Sequence, residues 1–461
     1  MRMLLNRALF IAPISLAIAA LTASAGAQQH LTGTLADGAT YVIDVPSAWN
    51  GVLVLYSHGY VAPGGSNPAT DVGDPLTGGY LLAAGYALAG SSYATTGWAV
   101  QQAIPDQIAT LDAFASRVGT PTATIAWGHS LGGMITAGLV QEYPSRFNAA
   151  LPMCGVVAGG VGLWNEALDG AFVFNTLAAG GVLQVVNITN PAVDFATAEA
   201  ILASVQSTPQ GQARIALAAA MGDEPGWYDP LSPEPAETDY TTRETNQYDW
   251  LANVVFPFMF YFRAELEGRA GGNPSWNTGV NYAMQLKHSI NNDEVQALYA
   301  AAGLNLTADL ATLKKAPRIS ANPNAENYLI QNIIYNGQLP IPVLTLHTTG
   351  DGLVPVENEQ AYMKTAHAAG DAAQLREVFV HRAGHCEFTP AETITAFQAL
   401  VARMNSGKWK GLSASLLDEE AAALGSQFNV LDVNNQIVQV SPAYEKYHSA
   451  MFLRPFDAFS E

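Results

Sequence analysis

The chain has 461 residues, 49% of them hydrophobic and 13% charged, and a formal net charge of -19. Such length and apolar content can bury a large core and exclude a disordered chain. The acidic balance argues against nucleic acid and against anionic membrane surfaces as partners.

In chain order, Arg2 and Arg7 flank the start of an apolar run over residues 8–20, and Ala25-Gly26-Ala27 is a small-residue cleavage pattern. This reads as a secretory signal peptide over residues 1–27, cut after Ala27. Its loss removes two arginines and no acid, leaving a formal charge of -21. No later stretch of 18 or more uninterrupted apolar residues follows, so no stable membrane insertion is expected. The mature chain is expected to be periplasmic or secreted, with an uncleaved anchor as the alternative.

Residues 31–35 and 40–45 flank Asp37-Gly38 and read as paired strands. Residues 51–56, 85–91 and 123–127 are further apolar strand runs, with a helix over 101–118 between the last two. Alternating strands and helices favour a mostly parallel sheet covered by helices on both faces. The third of these runs leads into Gly128-His129-Ser130-Leu131-Gly132, followed by an amphipathic stretch from Met134. A serine on a tight strand-to-helix bend has its hydroxyl exposed, and glycines on both sides let neighbouring backbone pass. Ser130 is therefore the candidate nucleophile.

Two later loops supply what a serine needs. The strand over residues 342–347 runs into Thr349-Gly350-Asp351-Gly352, and the strand over 375–380 runs into Ala383-Gly384-His385-Cys386. An imidazole must take the serine proton and a carboxylate must fix the imidazole tautomer, so His385 and Asp351 are the candidate base and acid. Asp351 could instead cap a helix near Pro355, with Glu357 and Asp371 as rival acids. His381 competes with His385 but falls within the strand pattern. His58 and His347 are expected to be packed, hydrogen-bonded histidines, and His129 either lines the site or fills the bend.

With this elbow and the order Ser, Asp, His, the chain resembles the α/β-hydrolase superfamily over residues 31–154 and about 339–404. The resemblance implies an α/β fold in which a large, mainly helical cap interrupts a mostly parallel sheet. It implies a core over residues 28–154 and 339–410, a cap over 155–338 and a C-terminal extension over 411–461. Ser57-His58-Gly59-Tyr60 resembles the turn that gives this superfamily one oxyanion-hole amide, assigned to Tyr60 with Gly59 as fallback. The second amide is that of Leu131, after the nucleophile.

The segment expected to form the cap has Ala-rich helical runs at 194–205, 212–221 and 292–302 and a turn-rich acidic stretch over 222–249. Trp164, Trp227, Trp250, Trp276 and the aromatic cluster at 256–262 suit an apolar or aromatic substrate group, although most of these rings are expected in the core. Residues 427–433 and 436–440 read as a hairpin around Asn434-Asn435 that folds back on the domain.

Competing chemistries find little support. The sequence has neither HExxH nor a Cys/His tetrad for a metal, and no GxGxxG or Walker loop for a nucleotide cofactor. No cofactor is expected. The reading is an exported serine hydrolase of carboxylic esters, acting on a small or polymeric substrate. An exopeptidase of the same fold is the main alternative, with the acidic 222–249 stretch holding a substrate amino terminus. An acyltransferase and a catalytically silent binding protein are the others.

The chain has two cysteines, Cys154 and Cys386. An even count in an exported protein favours pairing, and both residues should lie at the carboxyl edge of one sheet. The alternative is two unrelated buried thiols. The His-Cys pair also resembles the tannase and feruloyl esterase group. In that group the partner cysteine immediately precedes the nucleophile, a place that His129 holds here.

Overall fold

The structure, a computed structural model, describes residues 27–460. The expected signal peptide, apart from Ala27, lies outside the described residues. A nine-stranded sheet runs through the fold in the order β1-β2-β4-β3-β5-β6-β7-β8-β11. Its strands are β1 (Ala27–Thr34), β2 (Thr40–Pro46), β3 (Val52–Ser57), β4 (Ala87–Ser91), β5 (Ala123–His129), β6 (Ala149–Met153), β7 (Val343–Gly350), β8 (Leu375–Ala383) and β11 (Tyr444–Glu445). The six strands from β4 to β8 are parallel, whereas β1, β2 and β11 run antiparallel at the edges.

The apolar runs are continuous because both faces of the parallel strands are buried. Side chains alternate between faces along each strand. Leu53 and Leu55 belong to one core with Phe114 of α2 (Val100–Arg117) and Ile135 of α3 (Leu131–Glu142). Val54 and Tyr56 belong to the opposite core, with Leu81 of α1 (Pro75–Ala83) and Phe397 of a helix over Pro390–Ser406. That last helix starts where its residues demand. Thr389 accepts from the Glu392 amide, the Glu392 side chain accepts from Thr389, and Pro390 opens the first turn.

Between β6 and β7, the described residues contain helices and no strand. The helices are α4 (Gly159–Leu177), α5 (Pro191–Gln206), α6 (Pro209–Met221), α7 (Tyr240–Trp250), α8 (Arg263–Ala270), α9 (Tyr282–His288), α10 (Asn292–Ala301), α11 (Leu306–Lys315) and α12 (Pro323–Gln331). The acidic stretch read as turn-rich over 222–249 is so only in its first part. Asp239 accepts from the Thr242 amide and starts α7 there. Two π-helical turns, Leu251–Val255 and Phe258–Phe262, join α7 to α8. The insertion shares the core on the α2/α3 face of the sheet and is latched to it where Glu265 accepts from the Trp98 amide at 2.9 Å.

After β7 come α13 (Glu357–Ala369), β8, α14 (Pro390–Ser406) and α15 (Ala414–Ala423). The expected hairpin is present as β9 (Val430–Val433) and β10 (Gln436–Gln439), which pair with each other in a separate two-stranded sheet. It is β11 that returns to the main sheet. The Ala443 amide donates to Glu392, whose other bonds tie down Arg382 of β8. The tail then lies across insertion and sheet domain alike: Phe452 is fully buried, Arg454 pairs with Asp169 of α4, and the Ala458 amide donates to Tyr335 O.

Candidate active site

In open parallel sheets, ligands gather beyond the carboxyl ends of the strands, where the strand order reverses. Ser130 sits at such an end, between β5 and α3, with φ 57° and ψ -124°. That conformation is costly for a residue with a side chain and is held by its surroundings. The Ser130 amide donates to Met153 O at 2.9 Å, and its carbonyl accepts from the Gly133 amide at 2.8 Å. A Cβ on Gly128 would lie 2.5 Å from Ser57 O, and one on Gly132 would press further into the same oxygen. The two glycines therefore let the end of β3 pass directly against the bend.

Asp351 lies just past β7 and is 1% exposed. Its Oδ1 accepts from the amides of Leu353 and Val354 at 2.9 and 3.0 Å, and its Oδ2 faces His385 Nδ1 at 2.7 Å. Burial alone would raise its pKa, but the charge on His385 and hydrogen bonds from His347 and His385 bring it down to about 2. Asp351 is thus ionised, and with Nδ1 donating to it His385 keeps Nε2 for proton exchange. Nε2 lies 3.4 Å from Cys386 Sγ, and among the described residues no hydrogen bond joins Ser130 Oγ to His385. In structures without substrate such bonds are often long and tighten on binding.

Cys154 and Cys386 form a disulfide, with Cα atoms 5.4 Å apart. Both cysteines have positive φ, at 42° and 59°. The bond joins the residue after β6 to the residue after His385, and Ser130 is itself bonded to the end of β6. His129 is partly buried, and its Nδ1 lies 3.3 Å from Tyr56 Oη. Burial and the charge of His385 push its pKa down to about 4, so it is neutral near pH 7.

The turn at 58–60 crosses the elbow: a Cβ on Gly59 would stand 3.4 Å from Ser130 Cβ. Leu131 opens α3, so its amide has no intrahelical carbonyl to serve. The Tyr60 ring stacks on Phe262 of the second π turn, centroids 4.2 Å apart. The rival residues lie elsewhere or do other work. Asp371 accepts from the Leu339 amide, Glu357 is buried at the start of α13, and His381 pairs with Glu445. His58 is buried and stacked on Tyr93, as expected.

Sequence reasoning missed two features. His347 is buried and hydrogen-bonded as expected, to Glu359, but its approach to Asp351 was not foreseen. The other is a group of buried carboxyls, Glu166, Asp223, Glu224 and Glu357, gathered from three separate segments. Burial pushes the first three well above the usual carboxylate range and Glu357 up to about 7. Glu166 and Glu224 face a small cavity that is otherwise lined by Leu163, Val255, Phe258, Leu353 and small residues, beside the turn carrying Asp351.

The sheet order and the strained serine between β5 and α3, with a histidine and a buried aspartate beyond later strands, define a serine hydrolase. The fold is of the α/β-hydrolase type. The Prolyl oligopeptidase family profile matches residues 87–159, from β4 through the elbow to the start of α4. The chain is 28% identical over 421 residues to an o-phthalyl amidase of Xanthobacter agilis, covering 85% of this chain and 90% of that protein. Among solved structures it is similar to an esterase from Aspergillus oryzae, at 14% identity and a TM-score of 0.40 over 82% of this chain and 79% of that one. A second is feruloyl esterase B from the same organism, at 12% identity and a TM-score of 0.38 over 83% and 81% of the two chains.

Proposed function

We propose that the protein is an exported serine acyl hydrolase that cleaves small carboxylic esters and amides of aromatic acids through an acyl-enzyme on Ser130. The observation that carries the reaction type is the Asp351–His385 contact at 2.7 Å in loops beyond the strands, with Ser130 on its strained bend at the same sheet edge. Ser130 Oγ attacks the acyl carbonyl and His385 Nε2 takes its proton. The Tyr60 and Leu131 amides donate to the developing oxyanion. His385 returns the proton to the leaving alcohol or amine, and then activates water to release the acid.

The aromatic acyl group is supported by two things. The insertion, acting as a cap, faces the Asp351 turn with Phe258, Leu163 and Val255 around the cavity. The relative with near full-length coverage is an o-phthalyl amidase, which brings amides alongside the esters expected from the sequence. Export is supported by the charged and apolar start of the chain and by the disulfide.

The test is a panel of p-nitrophenyl acetate, butyrate, octanoate and benzoate, phthalic half-amides, and aminoacyl and peptidyl nitroanilides. Benzoate esters and phthalic half-amides should turn over fastest, and a fluorophosphonate should label Ser130 in the wild type and nothing in Ser130→Ala. Cleavage confined to nitroanilides with a free amino terminus would establish the exopeptidase instead.

A further inference from the structure

A second histidine, fully buried, reaches the same Asp351 oxygen that faces His385. His347 is on β7, four residues before Asp351, and 0% exposed. Its Nδ1 lies 2.8 Å from Glu359 Oε1 of α13. Its Nε2 lies 2.9 Å from Val354 O and 3.4 Å from Asp351 Oδ2. A backbone carbonyl only accepts, so Nε2 carries a hydrogen. The other oxygen of Glu359 accepts from Thr345 Oγ1 at 2.7 Å, which leaves that carboxylate an acceptor on both sides and puts a hydrogen on Nδ1 too. With both nitrogens donating, the ring is an imidazolium.

The geometry points to His347 and Glu359 as positioning residues for the triad: a buried cation, clamped by Glu359, that fixes and keeps ionised the carboxylate orienting His385. This rests on the serine-hydrolase reading of Ser130, Asp351 and His385. Burial by itself would strip the proton from His347, yet its bonds to Asp351 and Glu359 hold its pKa up to about 10. A buried carboxylate without a compensating charge would instead tend to protonate. The clamp spans three elements, since Thr345 and His347 come from β7, Glu359 from α13 and the Val354 carbonyl from the Asp351 turn.

The titratable groups around His347 are Asp351 in the turn, Glu357 and Glu359 on α13, and Glu377 on β8, with His385 beyond Asp351. Removing the imidazolium deletes a positive charge next to the Asp351 oxygen that faces His385. His385 then holds its proton to higher pH, and the acid limb of the kcat/KM profile moves up. Glu359→Gln removes the opposing negative charge and moves that limb down, while leaving an oxygen to accept from Nδ1.

The experiment measures kcat, KM and their pH profiles for wild type, His347→Gln and Glu359→Gln, each normalised to active sites counted by fluorophosphonate labelling of Ser130. We expect kcat per labelled site to fall about 10-fold or more in His347→Gln with KM little changed, and the acid limbs of the two variants to move in opposite directions. A merely structural role would lower the labelled fraction and leave kcat per site and both limbs where they are, which would overturn the inference. If His347→Gln does not fold, Glu359→Gln decides alone by the same readout. Absence of labelling at Ser130 in the wild type would instead reject the triad reading.

Discussion

The two oxygens of Asp351 do different work. Oδ1 takes the Leu353 and Val354 amides and Oδ2 faces His385. In Asp351→Asn the atom facing two N–H groups must remain an oxygen, so the new NH2 is turned toward His385 Nδ1. That nitrogen then has to accept, the ring proton moves to Nε2, and Nε2 can no longer take a proton from Ser130. The expected loss in kcat is about 10⁴-fold. Thermal unfolding should shift far less than deletion of a buried carboxylate would suggest, because the amide keeps the turn. Activity within 10-fold of wild type would pass the acid role to another carboxylate.

At the scale of elements, the turn at 58–60 and the insertion meet at a ring pair, Tyr60 on Phe262. Phe262 closes the second π turn, and such widened turns concentrate at functional places in helices. Phe262→Ala removes a stack worth about 0.5 to 1.5 kcal/mol. If the Tyr60 amide must be held for the oxyanion, kcat should drop about 2- to 10-fold, with fluorophosphonate labelling slowed alike; a change in KM alone would limit Phe262 to substrate binding.

Several of these elements were legible in the sequence for plain physical reasons. The parallel strands are buried on both faces and so appear as unbroken apolar runs, and the elbow glycines answer to backbone packed against them. Other parts carried no local signal. Pro257 between the π turns removes an amide donor and reads as a helix break, yet i to i+5 bonding carries the helix past it. Strand β11 is two residues long and is fixed by Glu392 and Asp418 from distant helices. His347 reads as a packed, hydrogen-bonded residue, but its partner Glu359 lies on the next helix, and only the fold brings the two together.

For the whole molecule, stability should follow the buried acids. Burial raises Glu357 and Glu387 to about 7 and Glu377 to about 8. Groups raised in this way bind protons more tightly when folded. Their contribution is fully present below the ordinary carboxylate range and is lost as pH rises through 7 to 8. Asp351 works the other way: its share is present above 3.8 and is lost only as pH falls through about 2. The share of His347 is fully present below 6.5 and is lost as pH rises to about 10. The urea midpoint should therefore decline from pH 5 to pH 8, and a midpoint that rises across that interval would contradict the assignment.

The Cys154–Cys386 bond spans a sequence separation of 232 residues and so turns the whole insertion, together with β7, α13 and β8, into a covalent ring. A protease that cuts once within the ring, for example at the exposed 229–239 stretch, opens the ring without parting the molecule. The nicked protein should run as one band without reductant and as two bands of similar size with it, and it should keep most of its activity while the bond stands. A single scission would then be a wound that the molecule survives.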